Sequence, residues 1–158
     1  MVEGFVIRRA KESDASEIAK MAIRLKKLNE EFDTQLQVDE ESVKNSESIM
    51  KTFISDKDHV VLVGEKNRKV AGYLMALLRD RIFYVPKKEV RITDLYVMPE
   101  FRRSNLAIKL VEEMKKEASK QGISLITAEF PTLNVIALRF YKKIMFRETV
   151  SVYGAELE

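Results

Sequence analysis

Asp94-Leu-Tyr-Val-Met-Pro-Glu-Phe-Arg-Arg-Ser-Asn-Leu-Ala107 is the stretch on which the reading of this chain turns. Val90 to Met98 reads as a strand stopped by Pro99, which has no N–H to give a ladder. From about Asn105 to Gln121, Leu106, Leu110, Val111, Met114 and Ala118 recur at helical spacing, and Gly122 ends the pattern. A strand therefore runs into a short turn, and the turn opens a long helix. The start of a helix carries free N–H groups and the positive end of the dipole, which makes a ready anion site. Arg102 and Arg103 lie in that turn and add charge. A pyrophosphate can be held there mostly by backbone amides, with the arginines helping. No Gly-Lys-Ser/Thr follows, so the turn is not a P-loop, and it lacks the Gly-x-Gly-x-x-Gly of dinucleotide folds.

Outward from this segment the periodicities predict the rest. Upstream, Phe5 to Arg9 reads as a strand. Ser13 stands where a helix cap belongs, with Glu17 near capping-box offset, and Ile18, Met21, Ala22 and Leu25 predict a helix over 14–30. A second, less regular helix is expected over 39–55. The run 60–63 is a buried strand, Asn67-Arg68 a turn, and 70–78 the hairpin partner. Downstream, 123–128 reads as a strand, 134–143 as a helix and 146–152 as a last strand. The order β-α-α-β-β-β-α-β-α-β predicts one α/β domain over residues 1–158. Its helices pack on a mixed, mostly antiparallel sheet with a parallel pair at the β-α-β unit.

Composition removes several function classes. The 158 residues suit one domain with a full core. There is no cysteine, so there is no disulfide, thiolate metal site or cysteine nucleophile, and no metal site is expected. A metal enzyme or a Ser-His hydrolase would rest wholly on His59, the one histidine, which reads instead as a strand-edge residue. With 28 Lys and Arg against 25 Asp and Glu the net charge is +3, but the signs are interspersed, which argues against a nucleic-acid partner. No apolar run approaches the ~18 residues that span a bilayer. Met1 to Arg9 has no small-residue cleavage site, and a cytoplasmic location is expected.

The central segment resembles the pyrophosphate loop of the GNAT (Gcn5-related N-acetyltransferase) superfamily, Arg/Gln-x-x-Gly-x-Gly/Ala, here Arg102-Arg103-Ser104-Asn105-Leu106-Ala107. Leu95 to Glu100 is similar to the family's fourth strand and its exit. Asn134-x-x-Ala137-x-x-Phe140-Tyr141-Lys142 is similar to its second cofactor motif, and Ile7 to Ala15 to its opening. The resemblance covers nearly the whole chain in the right order. It implies the GNAT fold, with helices on both sheet faces, and acetyl-coenzyme A as co-substrate. It also implies transfer of the acetyl group to a primary amine, on a small molecule or a protein. A coenzyme-A-binding sensor with little catalysis is the alternative. A homodimer is expected because family members often pair.

The same resemblance implies roles. Strands four and five splay, and a pantetheine arm pairs with the backbone of Leu95, Tyr96 and Val97. A bulge in this strand aims an N–H at the thioester oxygen, a stabilising donor as charge develops there. Arg102, Arg103, Ser104, Asn105, Leu106, Ala107 and Ile108 hold the pyrophosphate, and Asn134 contacts the cofactor or caps its helix. Tyr141 stands where many members place the general acid for the departing thiolate; its bland role is packing against the sheet. Asp94 is a base, a binder of the substrate cation, or a structural carboxylate. Thr93 and Glu129 are further pocket candidates, and Phe83 and Tyr84 belong to a loop expected near the acceptor side. Two departures stand out. Asn105 replaces the first family glycine, and Asn is the next most tolerant of positive φ. Met145 replaces the glycine of Phe-Tyr-x-x-x-Gly-Phe, at a helix end.

Overall fold

The computed structural model describes residues 4–158, so the first three residues of the stretch inspected for a leader lie outside it. In chain order the elements are β1 (Val6–Arg9), α1 (Ala15–Glu30), α2 (Glu40–Lys44), α3 (Ser46–Ser55), β2 (His59–Lys66), β3 (Lys69–Asp80), β4 (Lys88–Val97), α4 (Leu106–Lys120), β5 (Ile126–Ala128) and α5 (Val135–Lys143). The sheet runs β1-β2-β3-β4-β5. Its first three pairings are antiparallel and β4–β5 is parallel. The parallel step is the β4-α4-β5 crossover. Asn67 and Arg68 both take positive φ, 52° and 65°, the primed turn that suits a two-residue hairpin.

Strand alternation gives the sheet two apolar faces, and each is covered. Val61, Val63, Tyr73, Met75 and Tyr96 meet Ile18 and Met21 of α1 and Met50 of α3. On the other face Leu62, Leu74 and Ile92 meet Leu110, Val111 and Met114 of α4 and Tyr141 of α5. Glycine decides how closely α4 begins against the sheet. A Cβ at Gly64 would lie 2.4 Å from Leu106 Cδ1, and one at Gly72 would lie 2.7 Å from the Tyr96 carbonyl oxygen. Leu106 therefore sinks into a dent in the β2–β3 surface and anchors the first turn of α4.

Four expectations need correction. Ser13 is not the cap of α1. The residue at that place is Asp14, whose carboxylate accepts the Lys11 N–H (2.7 Å) and pairs with Arg8 (2.7 Å). The helix expected over 39–55 breaks at Asn45 into α2 and α3. The strand at 123–128 keeps only its last three residues, because Ile123 is used to close the end of α4, its N–H bonding the Ala118 carbonyl. The strand at 146–152 does not form: Val150 and Val152 stand 70% and 86% exposed. Its alternation is genuine, but a strand needs a ladder. β5 is three residues long, and after Glu129 bonds Ile92 the chain turns off through Pro131.

Candidate active site

The β3–β4 register pairs Met75 with Asp94 and Ala76 with Ile92, which leaves Thr93 as an extra residue in β4. This is a β-bulge, and it reverses the facing of everything beyond it. Val90 and Ile92 lie in the α4 core, whereas Tyr96 lies in the α1 core, and Asp94 shares its parity. The bulge thus turns Asp94 toward α1. There the carboxylate, 3% exposed as a residue, accepts from the Tyr73 hydroxyl (2.7 Å) and from Lys26 Nζ of α1 (3.1 Å). Burial, and then the Asp94 charge, push the Tyr73 phenol well above its usual range. Tyr73 and Lys26 are absent from the sequence reading of the site. One is an aromatic in an apolar strand and the other a charge on an amphipathic helix, and nothing in their spacing ties them to Asp94.

β5 follows β4 only from Val90 to Ile92, and the Glu129 N–H bond to the Ile92 carbonyl (3.0 Å) is the last link. From Thr93 onward β4 has no β5 partner, so the sheet opens into a gap. Met98 N–H bonds across to β3, at the Ala71 carbonyl (2.9 Å), while the Val97 carbonyl accepts instead from Arg102 Nε (3.1 Å). Backbone groups alternate along a strand. Val97 and Leu95 therefore turn their N–H and C=O to the gap, and Tyr96 turns its own to β3. The side chain of Tyr96 lies on the α1 face, with the Arg102 guanidinium 5.5 Å from its ring.

The turn after β4 is built from left-handed residues. Arg103 and Asn105 both have φ of 65°, with Ser104 between them donating its hydroxyl to the Phe101 carbonyl. Asn105 is the N-cap of α4, yet its side chain makes no capping bond, and the first turn holds no acidic residue. The N–H groups of Leu106, Ala107 and Ile108 are thus left without a side-chain acceptor at the mouth of the gap. Arg102 and Arg103 are exposed beside them.

After β5, Asn134 caps α5, its Oδ1 accepting the Ala137 N–H (3.0 Å). This uses the oxygen and keeps the amide NH₂ as a donor. Tyr141 is 6% exposed, stacked on Phe130 with ring centroids 5.4 Å apart and edge-on to Phe140 at 5.1 Å. Met145, at φ 72°, closes the helix. Its N–H bonds the Lys142 carbonyl (3.0 Å) and the Phe146 N–H bonds the Tyr141 carbonyl (2.9 Å). That is the Schellman arrangement, and Phe146 completes it by packing on the Tyr141 ring at 5.1 Å. Tyr141 is therefore gripped at ring and carbonyl. Among the described residues its hydroxyl has no hydrogen-bond partner. Burial, with the Asp94 charge second, pushes this phenol well above its usual range, so it stays protonated.

The remaining candidates separate. Thr93 is the bulge residue, its hydroxyl 3.4 Å from the Met75 carbonyl. Glu129 is exposed and lies 4.0 Å from Arg91. His59 starts β2 and pairs with Asp56 (2.5 Å), away from the gap. Phe83 and Tyr84 are exposed at the tip of the β3–β4 loop, beyond Lys88. That end of β4 is roughly 20 Å from Asp94 at the rise of a strand, so the start of the loop stands well apart from Asp94.

Residues 25–146 match the model of the Acetyltransferase (GNAT) family. Human N-acetyltransferase 8 is 29% identical over 101 residues, covering 64% of this chain and 44% of that protein. The chain thus spans less than half the length of this curated relative. Among solved structures, a tetramutant of a Bacillus halodurans protein superposes with a TM-score of 0.83 at 20% identity, covering 96% of this chain and 99% of that one. A Clostridium acetobutylicum predicted acetyltransferase, solved with acetyl-CoA, gives 0.77 at 17% identity, covering 96% of each chain. At these identities the likeness is one of fold. Among the described residues no helix is long and apolar enough to cross a membrane.

Proposed function

The chain belongs to the GNAT acetyltransferase family, and from that premise we propose that it moves an acetyl group from acetyl-coenzyme A to a primary amine by direct attack. The observation that carries this reading is the gap in the sheet. It opens at the Thr93 bulge, exposes the Leu95 and Val97 backbone, and ends at the uncapped start of α4 between two arginines. An extended polar arm that finishes in a pyrophosphate fits those three features in that order. Arg102 releases the Val97 carbonyl and turns to phosphate when the ligand enters; Arg103 adds charge at the same turn.

The thioester supplies an activated acetyl group, and the protein supplies position and proton control. Leu95 N–H, freed by the splay, donates to the carbonyl oxygen as negative charge builds there. Tyr141, protonated and without a hydrogen-bond partner among the described residues, gives its proton to the departing sulfur. Asp94 receives the ammonium of the acceptor, in exchange for Lys26, and draws off its proton. Tyr73 fixes the carboxylate while this happens. A small cationic amine matches a buried carboxylate with one exposed cation beside it.

A calorimetric titration with acetyl-coenzyme A should give micromolar binding, about −8 kcal/mol. Reversing the charges of Arg102 and Arg103 together should weaken it markedly. Thiol release should then follow when a panel of amines is added. Folded protein that takes up neither acetyl-coenzyme A nor coenzyme A would overturn the reading. Binding without thiol release on any amine would leave a sensor.

A further inference from the structure

Lys26 holds the position of an acceptor. Its ammonium lies 3.1 Å from Asp94 Oδ1, while Tyr73 occupies Oδ2, so the face that the carboxylate turns to an incoming amine is covered by an amine already present. The side chain of Asp94 is 2% exposed and that of Lys26 is 46% exposed. The carboxylate is therefore fixed, and the lysine stem is free to swing. Asp94 is followed directly by Leu95, whose backbone faces the gap, and the Thr93 bulge is what brings the α1 face and the gap together at this point. The neighbouring lysines of α1 differ. Lys20 pairs with Glu17 (2.9 Å) on the exposed side, and Lys27 is exposed.

We propose that Lys26 is an acyl acceptor of its own active site, so that the chain acetylates itself there. The inference rests on the acetyltransferase reading above. The Nζ lone pair forms the new amide C–N bond and the thioester C–S bond breaks. The sulfur leaves with its electron pair and takes a proton from the Tyr141 hydroxyl. Nitrogen gives up two protons, one from the ammonium before attack and one as the tetrahedral intermediate collapses. Both pass by Asp94 to water, and one of them is recovered when Tyr141 is reprotonated. The products are an amide on Lys26, a free thiol and one proton. The modified side chain has no charge to pair with. Asp94 then keeps Tyr73 alone and stands open to the ammonium of an outside acceptor, so self-acetylation would prime the site for small cationic amines.

The test is incubation of the purified chain with acetyl-coenzyme A, followed by peptide mapping over time, with thiol release on an accepted amine measured in the same preparation. One acetyl per chain is expected on Lys26. Its formation should run on the order of 10²-fold faster than at Lys20 and Lys27, exposed lysines of the same helix that report the uncatalysed rate. The rate per chain should not change with protein concentration, since the reaction is within one chain. Tyr141→Phe should slow it at least about tenfold while leaving Lys20 and Lys27 unchanged. Lys26→Arg, which keeps a cation on Asp94, should abolish the modified peptide. Transfer to the outside amine with Lys26 modified no faster than Lys27 would overturn the proposal alone. Failure to bind the thioester would overturn it together with the acetyltransferase reading.

Discussion

Asn105 sits at φ 65° and ψ 10°, where a residue with a Cβ is held at a cost. Asn bears that cost better than most, and glycine bears it best. Asn105→Gly should therefore leave acetyl-coenzyme A affinity unchanged or improve it. A loss of affinity in the titration, at unchanged stability, would show that the amide side chain itself holds the ligand. Tyr141 invites the opposite experiment. Tyr141→Phe keeps the ring between Phe130 and Phe146 and removes one hydroxyl that has no hydrogen-bond partner among the described residues. Turnover on an accepted amine should fall on the order of 10²-fold, with the loss in kcat rather than KM. Unchanged kcat would return Tyr141 to a packing role. Both positions were singled out in the sequence by the family motifs they stand in, Arg102 to Ala107 and Asn134 to Lys142. Lys26 and Tyr73 were not. Their meeting depends on the bulge at Thr93, and a single extra residue in a strand leaves no trace in an apolar run.

Two helix ends in this molecule use one design with different residues. α4 closes through Gly122 at φ 72°, with Gly122 N–H on the Ser119 carbonyl and Ile123 N–H on that of Ala118. α5 closes through Met145, also at φ 72°, with the matching pair of bonds. Met145 is 88% exposed, so its side chain gains little to offset its backbone conformation. Left-handed φ costs about 1–2 kcal/mol for an ordinary residue, and glycine loses about 0.5–1 kcal/mol through its freer unfolded chain. Met145→Gly should therefore stabilise the protein by about 0.5–1 kcal/mol in urea unfolding, and Gly122→Ala should destabilise it by a similar amount. A Cβ at Gly122 meets nothing within 4 Å, which keeps the second measurement free of steric effects. A fall in stability for Met145→Gly would mean that the methionine packs in solution. Helix ends of this kind can be read from sequence when glycine marks them, as at Gly122. At Met145 the signal was only a missing glycine. The tail at 146–152 failed for a different reason. Alternation in a sequence reports which faces a strand would have, and says nothing of whether a neighbouring strand is long enough to pair with it.

Across the whole molecule, the order of elements from β2 to α5 and the parallel β4–β5 step were legible, because each depends on periodicity averaged over many residues, whereas helices on both sheet faces were implied by the family resemblance. The two cores also share a property that only the assembled fold creates. Tyr73 is buried under α1 and Tyr141 under α5, one phenol on each face of the sheet, and both are pushed above their usual value of 10. In each case burial is the larger cause and the Asp94 charge adds to it. The consequence for stability follows from proton linkage. Above pH 10 the unfolded chain gives up both phenolic protons, while the folded chain keeps them. The unfolded state then binds fewer protons, so stability falls as pH rises. Below pH 10 both states hold these protons, and the two phenols contribute no slope. Each should add about 1.4 kcal/mol of lost stability per pH unit once the unfolded phenol is ionised. Lysines titrate in the same range, so the informative quantity is the difference between proteins. Urea unfolding from pH 8 to pH 11 should show a shallower alkaline decline for Tyr141→Phe than for wild type. A similar relief is expected for Tyr73→Phe, on top of a constant loss at all pH from the vacated Asp94 hydrogen bond. Parallel declines for wild type and Tyr141→Phe would mean that water reaches the Tyr141 hydroxyl and that this phenol is as free to ionise as one in solution.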